Sequence, residues 1–265
     1  MKKVTITREE LGFKQDNIIR SFGEHNIYFK SHIVLLKNDL KIFRYISLST
    51  LVNMLYNGTL YVSNIQSFSD IREKEGMKKD IEPLPIISPC PAYHDRIRIQ
   101  REEKKRQRIL SLCASCWTMD NRGNGENDES FLMWKAYTGN EMTCRIATNL
   151  ENLINSLKDS VDDIVISDVV YNEDSNMTEC EKLIFRKSLH YEQEQEVRMV
   201  VLNDNRDGIS IPVDIGTLLN EIRLSPFIQP NTASFILEGL RTRCSKYPNV
   251  VLSYSDIMEY KNFKI

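Results

Sequence analysis

"LKIFRYISLSTLVNMLYNGTLYVSN", residues 40–64, decides how the chain is built. Ile42 to Ile46 reads as a strand, and Ser47 or Ser49 can cap a helix whose apolar positions Leu51, Val52, Leu55 and Tyr56 are expected on one side. Asn57-Gly58 supplies the left-handed residue that ends it, and "TLYVSN" resumes an alternating strand. A strand, a short helix and a second strand therefore open the core, with Arg44 on the first strand and Tyr61, Ser63 and Asn64 on the second.

Downstream, "LSLCASCW", "TCRIAT", "DIVISDVVY", "EVRMVVL" and "NVVLSYS" read as further strands, with "GISIPVDI" and "TLLNEIRLSP" lying between the last two. Between them run a helix "LENLINSL" opened by Asn149, a helix around 178–190, and "NTASFILEGLRTRC" after Pro230 and Asn231. Short helices without regular βαβ spacing predict an α+β fold with a mixed, largely antiparallel sheet. No glycine- or serine-rich linker divides the 265 residues, so a single domain spanning 1–265 is expected. Residues 76–108 read as an insertion, proline-rich at Pro83, Pro85, Pro89 and Pro91, then helical and basic. Seven basic and three acidic side chains lie between Asp95 and Arg108.

Lys and Arg number 35 against 37 Asp and Glu, which argues against nucleic-acid binding by bulk charge and leaves the segment Arg96 to Arg108 as the local patch for a polyanion. A solvated helix with i,i+4 pairs is its structural alternative. Six cysteines form no disulfide framework and are expected to be reduced, and no stretch is apolar enough for a membrane span, so a cytoplasmic protein is expected. Cys113 and Cys116 lack the second ligand pair that zinc requires.

The chemistry is expected at "HYEQEQEVRMVVL", residues 190–202. In an extended chain Glu192, Glu194, Glu196 and Arg198 share one face, where like charges need compensation. Closely spaced acids either pair structurally or divide the labour of a site between fixed charge and proton acceptor. "ESFLMWKAYTG" contributes Glu129, Ser130, Met133, Trp134 and Tyr137, with Trp134 and Tyr137 at core-forming helical spacing and Ser130 placed to cap.

The ordered blocks Tyr45, Ser47 and Leu48; Leu60, Ser63, Asn64, Phe68 and Asp70; Glu129 to Tyr137; and Lys187, Glu194, Glu196 and Arg198 resemble the bacterial family called domain of unknown function 2971, over roughly residues 40–257. The pattern departs from the family at Ser69 and at "IREKE". The strand, helix and strand with Arg44, Tyr61 and Ser63, together with Glu194-Gln195-Glu196, also resemble ADP-ribosyltransferases. That resemblance implies NAD as substrate and a macromolecule, nucleic acid or protein, as acceptor, in a toxin or defence effector. It implies catalytic roles for Arg44, Glu194 and Glu196, and nucleotide contacts from Tyr45, Tyr61, Ser63, Asn64, Ser130, Trp134, Tyr137 and Arg198. Two other readings stand beside it. One is a non-catalytic nucleotide- or partner-binding module with a structural ion-pair network; the other is a hydrolase using Glu194, Glu196 and Asp70 around a divalent cation.

Overall fold

The computed structural model describes residues 6–31, 40–68, 92–119, 129–138, 142–158, 162–171, 176–203, 207–255 and 257. In the deciding stretch β3 (Lys41–Ser47) leads into α1 (Leu48–Asn57) and β4 (Thr59–Asn64). Ser47 is the cap, its hydroxyl accepting the Thr50 N–H at 3.1 Å, and Gly58 ends α1 in the left-handed region at φ 65°. The buried stripe is Leu51, Met54 and Leu55. Val52 and Tyr56 face solvent instead, because i, i+3, i+4 spacing from Leu51 selects Met54 and Leu55.

Around this unit stand β1 (Ile18–Phe22), β2 (His25–Lys30), β5 (Cys113–Met119), β6 (Thr143–Asn149), β7 (Ile164–Asp168), β8 (Glu196–Val201), β9 (Ile209–Pro212), β10 (Glu221–Leu224) and β11 (Val251–Tyr254). They form one sheet in the order β1-β2-β7-β8-β5-β3-β6-β10-β11, with β4 pairing β5 and β9. Only β2–β7 and β10–β11 run parallel among the described pairs, so the fold is α+β around a mixed, largely antiparallel sheet. The β1–β2 hairpin was not anticipated. Its turn passes through Gly23 at φ 57°, and its strands carry only a short buried run, Ile27 and Tyr28.

The helices are α2 (Ala92–Leu110), α3 (Phe131–Thr138), α4 (Leu150–Ser156), α5 (Glu179–Phe185), α6 (Ile215–Leu218) and α7 (Pro230–Cys244). Asn149 caps α4 as its sequence predicts, accepting the Asn152 N–H at 2.6 Å. Two apolar clusters flank the sheet. The larger includes Ile42, Ile46, Trp117, Val197 and Met199; the smaller includes Phe13, Tyr28, Ala114, Phe185 and Val200. This split follows the strand alternation on β8, where Val197 and Met199 face one cluster and Val200 the other.

The helix expected over 178–190 stops at Phe185. A bridge of Val170 N–H to Phe185 O (2.8 Å) and Lys187 N–H to Val170 O (3.0 Å) ties the segment to the end of β7, and a 3-10 helix occupies Leu189–Glu194. Glu192, Glu194 and Glu196 consequently do not alternate along one strand. Only Glu196 and Arg198 share the face of β8, and Glu192 is exposed.

The proline-rich part of the insertion, residues 76–91 with Cys90, lies outside the described residues, as do residues 69–75 and the loop 120–128. The other five cysteines form no disulfide among the described residues. No helix among the described residues is long and apolar enough to cross a membrane.

Candidate active site

β5 takes two partners on one edge. At its start it pairs β4 through Asn64↔Cys113 and Ser63↔Ala114; at its end it pairs β3 through Phe43↔Thr118 and Ile42↔Met119. Between these contacts β3 and β4 part, and the sheet opens into a cleft of about 630 Å³, a size usual for small-molecule sites. Arg44 stands at the opening. It donates to the Tyr61 carbonyl of β4 at 2.9 Å, spanning the split, and lines the cleft. No carboxylate among the described residues lies within ion-pair distance of its guanidinium, and one carbonyl uses only one of five N–H donors. Burial lowers its pKa, since the cation is held away from water.

The opposite wall comes from β8 and the turn before it. Gln195 adopts the left-handed region at φ 43°, which is uncommon for a residue with a Cβ. That turn ends the 3-10 helix and swings the chain into β8, so that Glu194 and Glu196 both meet the Lys187 ammonium, at 2.8 and 3.6 Å. Arg198 grips Glu196 with two fork arms, Nε to Oε1 at 2.7 Å and a terminal nitrogen to Oε2 at 3.0 Å; its remaining arm reaches the Ile184 carbonyl at 2.6 Å. The Glu196 N–H donates to the Tyr171 hydroxyl at 2.9 Å. Glu196 and Arg198 are 3% and 2% exposed, so this is a desolvated pair, whereas the Glu194 side chain keeps 18%.

The two acids titrate in opposite directions. Burial raises the Glu196 pKa, but Arg198 and then Lys187 outweigh it, and the net displacement is downward. Burial also raises Glu194, with the Glu196 charge adding to it; Lys187 opposes without prevailing, and the net displacement is upward. Neighbouring carboxylates driven apart in this way are what acid–base division of labour requires.

Aromatic rings complete the cleft. Tyr45 stacks on Tyr137 at 5.5 Å between ring centres and 16° between planes, both lining the cavity with Tyr191 and Phe68. Tyr137 stays 45% exposed as a residue, yet desolvation of its hydroxyl, and then the charges of Glu194 and Glu196 in the same cleft, push its pKa up. Among the described lining residues, the cations Arg44, Lys187 and Arg198 share one space with the carboxylates of Glu194 and Glu196.

Of the residues expected at the site, Arg44, Tyr45, Ser63, Tyr137, Glu194, Glu196 and Arg198 line the cleft together. Four do not. Trp134 is wholly buried beneath it, edge-on to Tyr45 at 4.9 Å, with its indole N–H on Glu129 at 2.9 Å. Ser130 caps α3, accepting the Met133 N–H at 3.4 Å. Asn64 is buried, its side chain accepting the Gln66 N–H at 2.8 Å. Tyr61 turns its hydroxyl to the Asp207 carbonyl at 3.2 Å, contributing its own carbonyl to Arg44. Polar side chains near strand and helix ends cap backbone as readily as they bind ligands, and here backbone wins.

Lys187, Cys116, Phe68 and Tyr191 join the lining without an expected role. Cys116 follows from pairing, being opposite Arg198 on β8; Lys187 stands in the quoted family block, and a fixed bend after α5 delivers it to the cleft. Asp70 lies outside the described residues. Among the described residues no group of three or more His, Cys, Asp or Glu gathers as for a metal.

No protein-family model matches the chain, so the family resemblance rests on the quoted blocks alone, and no curated protein matches it. Among solved structures the chain is similar to DarT of Thermus sp. 2.9 in complex with ADP-ribosylated ssDNA, at 10% identity over 83% of this chain and 96% of that chain, with a TM-score of 0.37. It is also similar to the same protein in complex with NAD+ and with carba-NAD+, each at 10% identity over 83% of this chain and 97% of that chain, with TM-scores of 0.35.

Proposed function

We propose that the chain is an ADP-ribosyltransferase-like enzyme that takes NAD into the split of its sheet and transfers ADP-ribose to a macromolecule, with nucleic acid as the first acceptor class. One observation carries this reading: Arg44, a cation without a carboxylate partner among the described residues, borders the same cleft as a pair of acids with opposed protonation behaviour. Arg44 offers its planar fork of donors to a phosphate of the dinucleotide. The Tyr45 and Tyr137 rings offer faces for a flat heterocycle.

In the proposed reaction the bond between ribose C1′ and the nicotinamide nitrogen breaks, its electron pair neutralising the pyridinium, and nicotinamide leaves. The cationic C1′ is stabilised by the fixed negative charge of Glu196. An acceptor oxygen or nitrogen then bonds to C1′ and gives its proton to Glu194, the more accessible and more basic carboxylate. The basic helix α2 packs against the 3-10 turn Ile65–Ser67 that leads into Phe68 at the cleft, and its exposed cations are our proposed contacts for a polyanionic acceptor. Another of its cations, Arg108, is already paired with Glu10 at 3.0 Å.

The test is nicotinamide release from NAD by the purified chain. Wild type should release it; Glu196→Gln should lose at least about a hundredfold in rate while keeping its circular dichroism spectrum. Arg44→Met should raise KM for NAD. Absence of both cleavage and thermal stabilisation by NAD defeats the proposal. A non-catalytic nucleotide-binding module has one observation in its favour, the two-pronged Arg198–Glu196 pair, which also serves as a purely structural tie. Stabilisation by NAD without cleavage would select it. The divalent-cation reading is weaker, since Glu194 and Glu196 already hold Lys187 and Arg198.

A further inference from the structure

We infer that Lys187 is the positioning residue of the acid pair: its ammonium, carried on a backbone bridged to the end of β7, turns the Glu194 carboxylate into the cleft and holds it ready as proton acceptor, while the two-pronged Arg198 is the main anchor of Glu196. The inference deepens the proposed transferase reading and rests on it for the word acceptor, though not for the geometry.

The division of partners supports it. Arg198 meets both oxygens of Glu196 and none of Glu194, whereas Lys187 meets Glu194 at 2.8 Å and only approaches Glu196 at 3.6 Å. Lys187 is itself held. Its N–H donates to Val170 O, its ammonium lies 4.5 Å from the centre of the Tyr191 ring, and its side chain is 8% exposed. Its rotational freedom is largely spent before any ligand arrives, as a supporting residue requires. Glu194, by contrast, is the last residue of the 3-10 helix and precedes the left-handed Gln195, and its carboxylate is placed by its side-chain partner. The ionisable groups that act on Glu194 are Lys187, Glu196 and Arg198, with Tyr137 from α3 and Tyr171 after β7. Among the described residues Lys187 alone gives it a hydrogen bond. Without that ammonium, burial and Glu196 act on Glu194 against Arg198 alone, so the carboxyl keeps its proton to higher pH.

The experiment is a carboxyl-carbon NMR titration of the full chain labelled at glutamate Cδ, with Glu194 assigned through Glu194→Gln. Lys187→Met should move the Glu194 midpoint up by about one pH unit or more, making it about tenfold weaker as an acid, and move Glu196 less. Lys187→Arg should stay close to wild type. The acid limb of nicotinamide release should follow the same displacement, kcat falling about tenfold below the new midpoint with KM for NAD held within about twofold. A Glu194 midpoint unchanged in Lys187→Met, or a larger displacement at Glu196, overturns the inference. If Lys187→Met fails to fold, Lys187→Gln carries the same expectation, because it keeps a donor and removes the charge. A wild type that releases no nicotinamide would defeat the transferase reading, while the titration still decides whether Lys187 governs Glu194.

Discussion

Removing the Arg198 guanidinium is the sharpest perturbation of the site. Arg198→Met deletes two charge-assisted hydrogen bonds to Glu196, at 2.7 and 3.0 Å, and one to the Ile184 carbonyl at 2.6 Å. With Glu196 only 3% exposed, water cannot replace them, and the nearest remaining cation is Lys187 at 3.6 Å. Breaking a buried pair from one side costs about 3–5 kcal/mol, mostly from the charge left behind. That is a large part of the roughly 5–15 kcal/mol that holds an ordinary domain together. Removing the stranded charge as well should recover most of it, so Arg198→Met/Glu196→Met should lie within about 2 kcal/mol of wild type. Equilibrium urea denaturation of wild type, both single variants and the double variant at neutral pH supplies the complete cycle. An Arg198→Met variant within about 1 kcal/mol of wild type, or a double variant as unstable as the two singles added, would refute the claim that this pair is desolvated and mutually dependent.

Other consequences follow from single contacts. Since Glu196 titrates below its ordinary value of 4.5, the stability from its ionised form is complete above that pH and drains away as pH falls through the lower folded value. The melting-temperature gap between wild type and Glu196→Gln should therefore shrink between about pH 7 and strongly acidic conditions; a gap that widens on acidification contradicts the sign. Trp134→Phe removes the indole N–H from Glu129, whose other carboxylate oxygen lies 3.1 Å from Arg223, and should cost about 1–3 kcal/mol in urea unfolding. Gly12→Ala combines φ 75° with a Cβ 2.5 Å from the Glu181 carboxylate, so it should destabilise by more than about 1 kcal/mol, whereas Gly23→Ala, with open space around it, should cost less.

The strand, helix and strand of residues 40–64 were legible because Ser47, Gly58 and the alternating apolar residues obey local rules that tertiary contacts reinforce. The same rules misjudged Val52 and Tyr56, whose apolar character says nothing of which flank of the stripe faces outward. Acids two residues apart suggested one extended face at 192–198. The left-handed Gln195 breaks that face, and no residue type at that position advertises it, glycine and asparagine being the usual signals. Arg44 stood out as a cation inside an apolar strand, and the sheet indeed opens beside it. Lys187 appeared only as a member of the quoted family block, without a role, because its place in the cleft depends on a pairing between Val170 and the segment after α5, two stretches that become neighbours only in the folded chain.

The most direct measurement is a crystal structure of the Glu196→Gln variant soaked with NAD. The account predicts dinucleotide density in the split between β3 and β4, with a phosphate oxygen within hydrogen-bond reach of the Arg44 guanidinium and the nicotinamide ribose turned toward position 196. Dinucleotide bound elsewhere, or an empty cleft at saturating NAD, would contradict it.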